Sequence, residues 1–300
     1  MEEKIVTLTG AKGPLTGSEL LDELEVAPLE LWRTCRLSRR LLTRTSGIRY
    51  LRLDAKVDGF ARLSPSILRE FMTYCVVGLP DDAPALDRRV EAILRHIKEV
   101  SQQKHDLARK IVHNVHEKLA GQWPRQARVC FILAGDIVYG MAHDVPRPER
   151  STGKMVSGSD IDLIVVLDDN APADFLQELD NTIYREKYHT LVSPSVREEI
   201  DYVVKKIERV REQLRFDSFK RMVACKILQE GVWLSGDQSL LAEIKAMLVD
   251  HGVTKKLEAM ETEAAALRQS AEEYLLHVPG GVSPDDLHLF YTSEESEEFE

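Results

Sequence analysis

Two aspartates spaced two residues apart head the most apolar run of this 300-residue chain. Asp160 and Asp162 lie in Gly158-Ser-Asp-Ile-Asp-Leu-Ile-Val-Val-Leu167. Side chains on a strand alternate between faces, so both carboxylates point the same way. Ile161, Leu163 and Val165 take the other face, and the unbroken aliphatic run predicts a strand covered on both sides. Two carboxylates held together repel unless a cation lies between them. An all-oxygen site of this kind suits Mg²⁺, with Mn²⁺ as a substitute.

The elements that must position this pair are legible on either side of it. Upstream, Val129-Cys-Phe-Ile-Leu-Ala134 reads as a strand that breaks at Gly135-Asp136 and continues as Ile137–Gly140. Downstream, 172–188 has helical spacing with Phe175, Leu179 and Ile183 inward, and Ile200-Asp-Tyr-Val-Val204 is a third strand carrying Asp201. Strand, Gly turn with helix, strand with Asp-x-Asp, helix and strand with Asp resembles the nucleotidyltransferase core of the DNA polymerase β superfamily. The small stand-alone nucleotidyltransferases resemble it most. The likeness covers roughly 105–240, and Glu230-Gly-Val-Trp-Leu-Ser-Gly236, a helix end followed by Gly and a short strand, also resembles that group.

The resemblance implies an α/β (α+β) fold with a mixed sheet and metal-dependent transfer of a nucleoside monophosphate from an NTP by a two-metal mechanism. The acceptor would be a protein, an RNA or a small molecule. It implies Asp160, Asp162 and Asp201 as the catalytic, metal-binding carboxylates. Gly135 and Asp136 would form the phosphate-binding turn, with Gly158, Ser159 and Lys154 as further nucleotide contacts. Two departures stand out. Asp136 occupies the position of the family's Ser, and the longer spacer contains an insert, 144–157, with Arg147, Arg150 and Lys154. Those cations are candidates to replace lost phosphate contacts.

A chain of this length can hold two domains, or one with appendages. The 43% hydrophobic and 30% charged residues fit a globular protein, and a formal charge of −10 argues against wholesale nucleic-acid binding. The charge is unevenly spread. Between 28 and 70 ten basic residues face four acidic ones, a local excess of 10 − 4 = +6. That asymmetry predicts a surface for a polyanion.

Ahead of that region Thr16-Gly-Ser18 caps a helix over 19–24, and within it a second helix is predicted from Leu29 to about Arg40. The alternating Ile48–Leu53 reads as a strand with 59–64 as its partner. Helix, tight turn, basic helix and hairpin resembles a winged helix-turn-helix domain over 1–80. In such domains the second helix enters the major groove and the wing touches backbone. The resemblance implies Arg33, Arg36, Arg39, Arg40, Arg49 and Arg52 as DNA contacts.

The rest sets context. Gly10-Ala-Lys-Gly13 lacks the ending and spacing of a phosphate loop and predicts a plain turn. Pro80-Asp-Asp-Ala-Pro84 reads as a linker. It precedes a long amphipathic helix, which opens the nucleotidyltransferase core expected over 85–205. His113 and His116 are i, i+3 on that helix, but with no carboxylate to complete a ligand set its polar face explains them. Residues 206–292 are expected to be a C-terminal helical region, with a single helix from 205 to about 229, and 293–300 an acidic disordered tail. Cys35, Cys75, Cys130 and Cys225 form no close pair and read as reduced, mostly buried thiols. With no leader and no membrane-length apolar run, the expected location is cytoplasmic. A rival from another class is a non-catalytic, antitoxin-like DNA-binding regulator whose nucleotidyltransferase domain has degenerated.

Overall fold

The computed structural model describes residues 1–149, 151–278 and 281–292. It is a mixed helix-and-sheet protein of two compact units. One is Met1–His96 with the chain from Met260 onward, and the other is Ile97–Ala259.

The chain opens with helix α1 (Glu2–Lys12), which runs through Gly10 and stops at Gly13, φ +82°. The plain turn expected at Gly10–Gly13 is therefore a helix end. Ile5 and Thr9 are buried one turn apart, and that burial outweighs the weak propensity of Thr and Gly. Strand β1 (Leu15–Thr16) leads into α2 (Gly17–Leu24). Here the expected capping box forms, with Thr16 Oγ1 accepting from Glu19 N–H and the Glu19 carboxylate accepting from Thr16 N–H.

Helix α3 (Pro28–Leu37) starts on proline and buries Leu31, Trp32 and Cys35. It is shorter than the predicted helix. Ser38 turns extended, and its hydroxyl accepts from Arg40 N–H and donates to Glu2. Arg39 and Arg40 thus lie beyond the helix.

Strand β2 (Leu42–Thr45) follows. The expected hairpin forms as β3 (Tyr50–Leu53) paired antiparallel with β4 (Ala61–Ser64), a two-stranded sheet of its own. After a single turn, α4 (Ile67–Arg69), and a π-helical turn (Glu70–Tyr74), the fully buried strand β5 (Cys75–Gly78) inserts between β1 and β2. The three-stranded sheet of this unit is thus closed by a strand far from its partners in sequence.

Pro80–Asp82 forms a 3₁₀ turn that leads directly into α5 (Ala83–Leu119), so the prolines start a helix instead of spanning a linker. In the second unit the sheet order is β10-β9-β6-β11. Its strands are β6 (Val129–Ala134), β9 (Ile161–Leu167), β10 (Ile200–Lys206) and β11 (Val232–Gly236). The hairpin β7 (Pro146–Pro148)–β8 (Met155–Ser157) is the insert between β6 and β9. Helix α6 (Ala173–Val192) joins β9 to β10, which run parallel, while β6 and β11 are antiparallel to their neighbours.

Beyond β10 the single predicted helix is two, α7 (Ile207–Gln213) and α8 (Phe219–Glu230), broken where Phe216 takes φ +54°. Helices α9 (Gln238–Asp250) and α10 (Val253–His277) follow.

Each unit has its own core. Ile161, Leu163, Val165 and Leu167 of β9 pack with Phe131 and Leu133 of β6, Ile111 and Val115 of α5, and Leu179 and Ile183 of α6. In the other unit, Leu31, Trp32 and Phe71 pack with Leu275 and Phe290. The 206–292 stretch is therefore not one region, because its last part supplies core residues to the N-terminal unit. The predicted acidic tail, 293–300, lies outside the described residues.

Candidate metal centre

Strand pairing builds the acidic triad. Asp162 is paired in register with Ala134 of β6 on one side and Asp201 of β10 on the other. Since Ile161 and Leu163 face the core, the carboxylate of Asp162 faces the other side of the sheet, and the parallel register gives Asp201 the same direction. One carboxylate oxygen from each of Asp160, Asp162 and Asp201 lies within 4.8 Å of the others. Asp160 and Asp162 are half-buried and Asp201 is exposed. Three hard oxygen donors converging at one strand end can hold a metal ion. They are the only group of three or more His, Cys, Asp or Glu so arranged among the described residues.

Glycine makes room for this. Gly135 sits at φ +72°, and a Cβ there would fall 1.9 Å from Asp162 Oδ2. Gly158, at φ +64°, would push a Cβ to 2.0 Å from His143 O. That close approach lets Ser159 clamp the strand entry. Its N–H donates to His143 O (3.0 Å), its Oγ accepts from His143 N–H (3.2 Å), and its hydroxyl donates to Asp136 Oδ2 (2.9 Å). Gly158 and Ser159 are thus buried scaffold, and Asp136 is a bonded acceptor. After Gly135 the chain makes only a 3₁₀ turn, Gly135–Ile137, where a helix was expected.

The insert cations meet protein partners. Arg147 donates from Nε to Gly158 O (2.8 Å) and pairs with Glu199 at 2.9 Å. Burial pushes the Glu199 carboxyl up, against the pull of Arg147. Beside it, buried Lys104 of α5 pairs with Glu198 and donates to Ser157 O at 2.6 Å. Lys154 is exposed in the β7–β8 turn, and Arg150 lies outside the described residues.

A second cluster had no sequence expectation. Gly135 N–H donates to Glu230 Oε1 (3.1 Å), Tyr139 Oη–H donates to Glu230 Oε2 (2.9 Å), and Lys226 pairs with Glu230 and donates to Tyr139 Oη at 2.9 Å. The i, i+4 spacing of Lys226 and Glu230 was the available signal. Their closure onto the Gly135 turn is a tertiary contact that no local pattern announces.

The six candidate arginines separate. Arg33 donates to Leu276 O (3.2 Å) and Val278 O (3.5 Å). Arg40 pairs with Glu3, and Arg49 pairs with Glu70 (2.5 Å) and Glu272 (2.9 Å). Arg36, Arg39, Arg40 and Arg52 are exposed. His116 packs edge-on against Trp123 and Phe131, and burial pulls its pKa down. All four cysteines are free and buried, with burial raising Cys35 and Cys130 to about 12 and Cys75 and Cys225 to about 11.

Among the described residues no helix is long and apolar enough to cross a membrane. No family model, curated protein or solved structure matches this chain.

Proposed function

We propose that the unit Ile97–Ala259 is a metal-dependent nucleotidyltransferase that moves a nucleoside monophosphate from an NTP to an acceptor hydroxyl. The observation that carries this reading is the register-matched triad of Asp160, Asp162 and Asp201 beside Gly135, which has no side chain to crowd Asp162. Asp160 and Asp162 would hold Mg²⁺, or Mn²⁺, with Asp201 as the third ligand. Bound there, the metal would offset charge on the triphosphate and on the departing pyrophosphate.

The chain's own part is positioning. The rigid β9–β10 pair fixes the carboxylates on one face, and Asp201, the exposed member, is available to accept the acceptor's hydroxyl proton. The acceptor oxygen bonds to the α-phosphorus, the bond from that phosphorus to the pyrophosphate oxygen breaks, and pyrophosphate leaves in line. Protein, RNA and small molecules all supply such hydroxyls. For the N-terminal unit we propose DNA binding through exposed Arg36, Arg39 and Arg52, in keeping with the helix pair α2–α3 and the hairpin β3–β4. Four buried thiols fit a reducing, cytoplasmic setting.

A second reading is a DNA-binding, antitoxin-like regulator with a degenerate nucleotidyltransferase domain. It is favoured by one specific feature, the two carboxylates, Asp136 and Glu230, held at the turn that would receive phosphate. Incubation with each α-labelled NTP and Mg²⁺ or Mn²⁺, with RNA and lysate as acceptors, separates the two. Transfer by the wild type but not by Asp160→Ala/Asp162→Ala supports the enzyme. Salt-dependent DNA binding without transfer supports the regulator.

A further inference from the structure

The turn at Gly135 already holds an anion. Three donors of different kinds converge on the Glu230 carboxylate, namely the backbone N–H of Gly135, the phenol of Tyr139 and the ammonium of Lys226. Lys226 is 7% exposed, and the Glu230 side chain 10%. A backbone amide, a hydroxyl and a buried cation are the donors that a phosphate oxygen takes.

Gly135 connects this cluster to the triad. A Cβ on it would strike Asp162 Oδ2, while its N–H is given to Glu230, so one residue touches both groups. The neighbouring cations have other partners, since Arg147 pairs with Glu199 and Lys104 with Glu198. Lys226 is the lysine bonded into the turn itself. Glu230 is the last residue of α8, where a side chain can swing without disturbing the helix.

Resting on the nucleotidyltransferase reading, we propose that Glu230 is a displaceable stand-in for a triphosphate oxygen. Without nucleotide its carboxylate closes the turn and neutralises Lys226. An arriving polyphosphate displaces it and takes over the Gly135 N–H, the Tyr139 hydroxyl and Lys226. Glu230 therefore acts as a built-in competitor that sets a threshold concentration for the nucleotide.

The test is calorimetric binding of tripolyphosphate, with excess Mg²⁺, to the full chain. Glu230→Gln keeps the shape and removes the competing charge, and is expected to bind about tenfold or more tightly than wild type. Adding Lys226→Met is expected to abolish that gain. The double variant removes both charges together, so Lys226 is not left as an unpaired buried ion, and Lys245, which also feels Glu230, keeps its bond to Gln229 O. Equal or weaker binding by Glu230→Gln, or none, overturns the proposal. In wild type labelled with ¹⁵N-glycine, the Gly135 amide resonance is expected to move on adding tripolyphosphate, and an unmoved resonance is equally fatal. Tighter binding without label transfer would count against the nucleotidyltransferase reading alone, whereas transfer with unchanged binding would count against this inference alone.

Discussion

The two units treat their charged residues in opposite ways. In the unit Ile97–Ala259, three carboxylates separated in sequence are driven together by strand register, against their mutual repulsion. In the unit built from Met1–His96 and the chain from Met260, a cationic run dense in sequence is dispersed. Arg33 serves backbone carbonyls, while Arg40 and Arg49 serve carboxylates. Like charges brought together by the fold mark a candidate ligand site, whereas charges given opposite partners are explained by folding alone. Sequence density of charge is therefore the weaker guide to a site, and convergence the stronger.

That contrast can be broken most directly at the triad. Asp162→Ala is expected to reduce nucleotidyl transfer by roughly 10³-fold or more while the far-ultraviolet circular dichroism stays native. Retained transfer would sink the assignment.

The next effect compares glycines. Gly135→Ala combines a left-handed backbone with a clash at Asp162, and should cost about 2–3 kcal/mol in denaturant melts as well as Mg²⁺ binding. Gly13→Ala has a similar φ but open space, and should cost about 1 kcal/mol. Equal costs would show that the Asp162 contact contributes nothing.

A smaller effect separates the arginines. Arg49→Ala removes the closer of two cations on buried Glu70, leaving Arg268 at 3.4 Å, and should destabilise by about 1 kcal/mol, allowing for solvent screening on the half-exposed arginine. Arg36→Ala should stay within about 0.5 kcal/mol and act only on DNA affinity. If Arg36→Ala proves the more destabilising in urea titrations, Arg49 does not hold the fold and Arg36 does.

The smallest test is a pH profile. Burial pulls the pKa of Lys205 down to about 8 from 10.5. Between those values the unfolded chain binds more protons than the folded one, so this residue makes stability rise with pH across that window and lowest below it. Lys205→Met should flatten that rise in melts from pH 7 to 10.5, and an unchanged slope would show the lysine to be solvated.

Local pattern explains what the sequence made legible. The period-2 alternation around Asp160 and Asp162, the capping box at Thr16 and the helical spacing of α5 are each written in neighbouring residues, and each appears as expected. What stayed hidden depends on distant partners. Strand β5 is four residues long and gains its place only between β1 and β2. The end of helix α1 at Gly10–Gly13 looked like a plain turn because Thr9 and Gly10 are poor helix formers, and burial of Ile5 and Thr9 helps hold the helix through them. The side on which Asp201 would emerge depended on register, since a slip of one residue would have turned it into the core. The grip of Glu230 on Gly135 joins residues far apart in the chain, so neither spacing nor composition reveals it.

The N-terminal unit is assembled from both ends of the chain. Leu275 and Phe290, both essentially inaccessible to solvent, complete a core begun by Ile5 and Leu20. On a ribosome, Ile5 and Leu20 must therefore wait for Leu275 and Phe290, which are made much later. The intervening segment, from Ile97 to Ala259, can fold while the earlier residues still expose Trp32 and Phe71. Order of synthesis and order of completion run in opposite directions. A fragment ending near residue 80 would then emerge as a half-built core prone to aggregation, so a binding assay on that fragment would report its stickiness instead of its specificity.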